Sequence, residues 1–222
     1  MFRPVPRGEV YRKLLHVLVV FLPIGIFYGP EYFSTTRSFV AFFALGLLFM
    51  SLVLEYSRFR FPRFGNWWWS FHSALLRDRE KYQLTGATYM AGGSFLCACI
   101  SVISESFAAY AFLSFALFIL GDAAAALVGK SFGRTRVGMK TLEGALGCFL
   151  LSFSLAYWIF PYFPKFSETL GGPLSLVQSV VVALSISLLE LFPVKLKKFS
   201  LNDNLYVPVV ATWIVSIAHS IL

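Results

Sequence analysis

Long, continuously apolar runs separated by short polar ones organise this chain. An α-helix needs about 20 apolar residues to cross a hydrocarbon core about 30 Å thick. On that ruler the pattern predicts seven helices, at approximately 14–29, 38–55, 84–103, 106–129, 143–162, 173–192 and 205–222. The runs are unbroken rather than alternating, which argues against strands. Residues 56–83 differ. There Phe59, Phe61, Phe64, Trp67, Trp68, Trp69 and Phe71 are interleaved with Arg and Lys, and Trp67, Phe71 and Leu75 recur every fourth residue. That spacing predicts an amphipathic helix lying in the membrane interface, either as a plain anchor or as a lateral clamp for a lipid. The fold class expected is an all-α integral membrane protein. It would be a bundle of about seven transmembrane helices plus one interfacial amphipathic helix, forming a single membrane-embedded domain over residues 1–222.

Composition agrees with the pattern. Of 222 residues 58% are apolar and only 14% charged, against about 25% charged in a soluble domain. The 25 Phe and 5 Trp exclude disorder. The net charge of +8 does not point to nucleic acid, because its placement follows the membrane. Seventeen of the nineteen Lys and Arg fall in the N-terminal segment and in alternate loops, and only Arg37 and Lys165 fall in the others. Basic loops stay in the cytoplasm, so the N-terminus is expected inside and the C-terminus outside. No small-residue cleavage site follows the first run, which reads as a retained span. Cys97, Cys99 and Cys148 sit in apolar stretches without a CxxC pair, so neither a disulfide framework nor a zinc site is expected.

The acids sharpen the picture. Glu9, Glu55, Asp78, Glu80, Asp122, Glu143, Glu190 and Asp203, eight of the eleven, fall on or near the basic face. Asp122 is eight residues before Lys130, roughly 12 Å deeper along a helix. An ionisable group at such depth faces a cavity or a partner. Bases that grip phosphate oxygens beside acids that hold a divalent cation suit a metal-bound polyphosphate. A channel or transporter would need polar residues through both membrane halves, whereas Glu31, Glu105 and Glu168 on the other side all sit at loops.

Residues 121–144 read GDAAAALVGKSFGRTRVGMKTLEG. The piece AAALVGKS formally fits a phosphate-binding P-loop, but it follows a membrane helix rather than a strand and is itself helix-forming. The whole stretch carries more. Gly129, Gly133 and Gly138 permit turns and close backbone approach. Lys130, Arg134, Arg136 and Lys140 gather four cations in eleven residues. Thr141 is placed to cap the next helix, whose first amides would face the same point. A triphosphate site and a ligand-free basic loop both fit this composition.

The same string resembles the signature of the CTP-dependent lipid kinases, the family of dolichol kinase, phytol kinase and CTP-dependent diacylglycerol kinase. Three further segments resemble that family in order: EVYRKLLH (Glu9 to His16), REKYQLTGATYMAGG (Arg79 to Gly93) and LNDNLYVPVV (Leu201 to Val210). Asn202 stands where the family pattern has Asp. KTLEG (Lys140 to Gly144) is also similar to an element of the phosphatidate cytidylyltransferases, with Leu142 in place of Trp.

The resemblance implies CTP as phosphoryl donor, Mg²⁺ as the divalent cation and a membrane lipid alcohol (polyprenol, dolichol, phytol or diacylglycerol) as acceptor at the cytoplasmic leaflet. The setting would be the bacterial cytoplasmic membrane, or the endoplasmic reticulum in a eukaryote, with membrane lipids and no nucleic acid as partners. It implies Asp122, His16 and Glu143 as catalytic, and Lys130, Arg134, Arg136, Lys140, Thr141, Asn202 and Asn204 as nucleotide-binding. Asp122, Asp203 and Glu143 would hold the cation, and Arg12, Lys13 and Thr88 would meet the lipid. Asp122 as cation ligand and Asp122 as base both remain open. Glu9, Arg12, Lys13 and His16 recur at helical spacing, on one face. Ser200 to Asp203 fits a capping box, the small residues of 86–94 fit close helix packing, and His72 and His219 read as interfacial. The alternatives are phosphatidate cytidylyltransferase and a non-enzymatic transporter or scaffold.

Overall fold

The computed structural model describes residues 4–73, 76–196 and 199–222. Arg3, Leu75, Lys197 and Lys198, which entered the charge and spacing arguments, lie outside them.

The first apolar run is bent. Helix α1 (Arg7–Leu18) and helix α2 (Phe21–Tyr32) meet at a tight turn, where the amides of Val19, Val20 and Leu22 donate to the carbonyls of His16, Val17 and Val19 at 3.1, 3.0 and 2.9 Å. Pro23 supplies the reason. It has no N–H to offer Val19, and its ring crowds that carbonyl, so a straight helix cannot pass through. Helix α3 (Arg37–Arg60) is capped by Thr36, whose hydroxyl accepts the Phe39 amide at 3.1 Å. Phe61 is extended, as the residue before a proline prefers, and α4 (Pro62–His72) follows. This is the predicted interfacial helix. Trp67 and Phe71 share a face with rings 5.2 Å apart, and both are more than half exposed.

Helix α5 (Gly86–Ser101) leads to α6 (Glu105–Phe132), the axis of the bundle. Every α6 residue from Ala108 to Ile119 is buried, as befits a helix apolar all round. Helix α6 runs unbroken through Lys130 and Ser131, so AAALVGKS is helix and no phosphate-cradling loop. A two-stranded hairpin, β1 (Arg136–Val137) with β2 (Lys140–Thr141), comes next. Gly138 holds the first position of its two-residue turn at φ 61°, the conformation such a turn asks of glycine. Helix α7 (Leu142–Ser154) continues through a π-helical turn, Leu155–Ile159, into a 3-10 turn, Phe160–Tyr162. Pro161 has no N–H for a regular bond there. A short α8 (Phe166–Thr169), α9 (Leu176–Leu191), a second hairpin of β3 (Lys195–Leu196) and β4 (Phe199–Ser200), and α10 (Asp203–Ile221) complete the chain. Helices α1, α2, α5, α7, α9 and α10 all pack on α6.

The protein is thus an all-α membrane protein. Among the described residues, five helices are long and apolar enough to cross a membrane: Gly8–Tyr32 taken through its bend, Arg37–Arg60, Glu105–Phe132, Leu142–Tyr162 and Asp203–Ile221. The other two predicted spans are helices of sixteen residues each, α5 and α9. The cap expected at Ser200 is shifted. Residues through Ser200 are held in the second hairpin, so α10 starts at Asp203, and the Asn202 side chain caps it by accepting the Asn204 amide at 3.1 Å.

The two ends of the bundle carry separate polar groups. At one, Arg37 binds Glu105 (Nε to Oε1, 2.9 Å), Lys165 binds Glu31 at 3.0 Å, and the Tyr28 hydroxyl donates to the Pro164 carbonyl at 2.6 Å. These are the two cations of the sparse face, and both are neutralised. The opposite end holds the remaining described cations and the site.

Candidate functional site

Helix α1 lays its charged face along the last turns of α6. Glu9 pairs with Lys130 and with Arg12, and Lys13 pairs with Asp122. His16 Nε2 stands 3.1 Å from Asp122 Oδ2, without the alignment of a hydrogen bond. The sequence explains the match. Residues 9, 13 and 16 fall on one α1 stripe, and 122 and 130 are about two turns apart on α6, so antiparallel helices bring 9 against 130 and 13 and 16 against 122. The α1 turn before Pro23 ends this stripe at His16. Asp122 keeps 18% of its side chain accessible, while Lys13 keeps 7% and His16 15%. The carboxylate is therefore reachable, and its two partners are more deeply buried than it is.

A second cluster comes from three other elements. Lys140 of β2 places Nζ 2.6 Å from Glu190 Oε1 at the end of α9 and 2.6 Å from Asp203 Oδ2 at the start of α10. Burial alone would depress the Lys140 pKa, but the carboxylates of Glu190 and Asp203 outweigh it and hold the ammonium above its ordinary value. The two clusters share one field, since Lys140 acts on Asp122 and Asp122 acts on Glu190. Glu190 is 4% exposed, and its Oε2 is buried without a partner among the described residues.

Thr141 caps α7 as expected, accepting the Gly144 amide at 3.1 Å. Two glycines serve packing rather than a ligand: a Cβ on Gly129 would stand 2.7 Å from Thr141 Oγ1, and one on Gly144 2.6 Å from the Ala125 carbonyl. The α6–α7 crossing is therefore too close for any side chain. The side chains of Arg134 and Arg136 are exposed beside it.

Several expected site residues have other work. Both Glu143 oxygens accept the Thr135 amide, at 3.0 and 3.2 Å, so Glu143 ties the loop after α6 to the start of α7 rather than joining Asp122. Thr88 is 3% exposed and binds Glu55 Oε1 at 3.1 Å and the Ser51 hydroxyl at 2.8 Å. It belongs to a buried knot in which Glu55 also takes the Thr85 amide and Arg58, and Arg58 donates to the carbonyls of Glu80 and Gln83. That knot fixes the start of α5 and leaves Thr88 no free hydroxyl for a lipid. Asn202 is the α10 cap, and Asn204 Nδ2 donates to the Gly86 carbonyl at 3.0 Å, joining α10 to α5. His72 stacks on Trp68 with centroids 3.8 Å apart, and His219 meets the Tyr110 hydroxyl at 3.3 Å, both away from Asp122. The residues not singled out from sequence as site members are Glu9 and Glu190. The visible signal for Glu190 was an ionisable group closing an apolar run.

Among the described residues no three His, Cys, Asp or Glu side chains gather to hold a metal ion. The carboxylates present, Asp122, Asp203 and the half-partnered Glu190, fit a cation that arrives on a polyphosphate, which needs only one or two protein carboxylates.

Comparison with known proteins places the chain in a family and beside a relative. A model of the cytidylyltransferase family matches residues 4–192. An uncharacterised protein of Rickettsia prowazekii (strain Madrid E) is 22% identical over 203 residues, covering 90% of this chain and 89% of that protein. No solved structure matches.

Proposed function

The chain belongs to the cytidylyltransferase family and is a CTP-using membrane enzyme, and on that premise we propose that it is a CTP-dependent kinase for the hydroxyl of a membrane lipid alcohol. The observation that carries this reading is the carboxylate–imidazole pair of Asp122 and His16, partly accessible and braced by Lys13. A hydroxyl acceptor must lose a proton, whereas a phosphatidate acceptor is already an anion. A positioned base is therefore useful to a kinase and idle in a cytidylyltransferase.

In this reading Lys130, Lys140, Arg134 and Arg136 face the triphosphate. Lys13 pairs with Asp122 and holds its carboxylate in place, and Asp122 accepts the acceptor's hydroxyl proton. The alcohol oxygen attacks the γ-phosphorus in line, the bond from that phosphorus to its bridging oxygen breaks, and CDP leaves. Most of the rate comes from positioning and charge neutralisation, as in other phosphoryl transfers. A divalent cation, Mg²⁺ by the resemblance, would be held by Asp203 and would neutralise phosphate charge, which leaves Asp122 free to act as the base. The basic end of the bundle is the cytoplasmic one in this account, and residues 1–222 form one catalytic domain.

The family description and the KTLEG element favour a second reading, phosphatidate cytidylyltransferase, in which the lipid attacks the α-phosphorus and pyrophosphate leaves. Purified protein incubated with a lipid alcohol panel, phosphatidate and labelled CTP separates them. Label from the γ-position enters lipid only in a kinase, and label from the α-position enters lipid only in a cytidylyltransferase.

A further inference from the structure

We propose that Glu190 is a further positioning residue of the site: with Asp203 it parks Lys140 while no nucleotide is bound, and it receives the nucleotide's divalent cation when Lys140 turns to phosphate. The inference rests on the CTP-using reading of the same centre.

Three observations meet here. Glu190 is 96% buried by the complement of its 4% exposure, so its charge has no water to fall back on. One oxygen, Oε1, is held by Lys140, while Oε2 is buried with no partner among the described residues. A buried carboxylate oxygen left unmatched costs free energy unless some state of the protein uses it. Lys140 bridges Glu190 and Asp203 at 2.6 Å each, with 25% of its side chain accessible. One ammonium thus stands between two carboxylates from different helices, where a divalent ion would be favoured for the same electrostatic reason. Lys140 also sits at the end of the β1–β2 hairpin, immediately before the α7 cap Thr141. A rotation of its flexible stem moves the ammonium from the acids toward an incoming phosphate without moving either helix. The exchange replaces one positive charge by two at a pair of carboxylates, so the divalent ion neutralises fully what the single ammonium neutralises by half.

Opposite responses of two variants test this. Full-length protein in detergent is titrated with Mn²⁺, read by electron paramagnetic resonance, with and without CTP, and binding of labelled CTP is measured separately. Glu190→Gln should weaken Mn²⁺ retention about tenfold, the scale of a lost ligand or supporting partner, while binding of metal-free CTP stays within about threefold. Lys140→Gln should do the reverse, tightening Mn²⁺ in nucleotide-free protein and weakening CTP about tenfold. A purely structural ion pair predicts equal losses in both variants, and that result overturns the proposal, as does unchanged Mn²⁺ retention in either. If Glu190→Gln does not fold, Lys140→Gln alone decides: tighter Mn²⁺ supports the exchange and unchanged or weaker Mn²⁺ overturns it. Should the wild type bind no CTP, the functional reading falls. The Mn²⁺ titrations without nucleotide would still decide the part played by Glu190.

Discussion

Lys13 and Asp122, 109 residues apart in sequence, form an ion pair that joins the first helix of the chain to the bundle axis. Both are largely screened from solvent, so each depends on the other for its charge. Removing one partner of such a pair leaves an uncompensated charge and costs about 3–5 kcal/mol, while removing both is far milder. Lys13→Met and Asp122→Asn should therefore each lower thermal stability in detergent, and the double variant should recover most of the loss. Additive losses would mean that the two side chains act independently.

The α6–α7 crossing gives a steric prediction. Gly144→Ala places a methyl 2.6 Å from the Ala125 carbonyl, a backbone atom that cannot yield without moving α6. A loss of roughly 1–3 kcal/mol is expected, the usual cost of overpacking. Gly46→Ala, which meets nothing within 4 Å, should leave the melting temperature within a degree or two and serves as the control.

Thr88 tests a correction. If its hydroxyl belongs to the Glu55 knot, Thr88→Val loses its hydrogen bonds to Glu55, Ser51 and Thr85 inside a buried network. It should then cost roughly 1–3 kcal/mol of stability. The KM for lipid acceptor in the surviving folded enzyme should not change. A raised KM at unchanged stability would return Thr88 to the lipid site.

Lys140 carries a pH dependence. Its folded pKa lies above the ordinary 10.5 because Glu190 and Asp203 outweigh the effect of burial. A raised pKa means that the folded state holds the proton more tightly. The stabilisation is then fully present below 10.5 and is lost as pH rises through the higher folded value. The melting-temperature difference between wild type and Lys140→Met should not shrink from pH 7 to 9 and should shrink only above about 10.5. A difference that shrinks between pH 7 and 9 would contradict this arrangement of charges.

Much of this architecture was legible because the bilayer imposes simple rules. Unbroken apolar runs became helices, and the one-stripe spacing of Glu9, Lys13 and His16 became the face that meets α6. Asp122, conspicuous in an apolar run, has the partners its depth requires. What sequence did not expose was pairing across the chain. No local rule says that Lys140 would choose Glu190 and Asp203, or that Glu143 would spend both oxygens on the Thr135 amide. The glycines of 129–144 read as ligand-approach signals, but a close helix crossing uses the same residue for the same steric reason, and only the fold separates the two. The bend at Pro23 was present in the sequence as well, hidden by a run apolar enough to pass for one helix.

The central claim is that Asp122 takes the acceptor's proton, and the most direct measurement is single-turnover transfer of γ-label from CTP to lipid alcohol. It compares wild type, Asp122→Asn and the more stable Lys13→Met/Asp122→Asn pair at matched folded fractions. The account predicts that both variants bind CTP within about threefold of wild type while transfer falls roughly 10²–10⁴-fold, the range a general base supplies. Transfer at more than a tenth of the wild-type rate in either variant would contradict it.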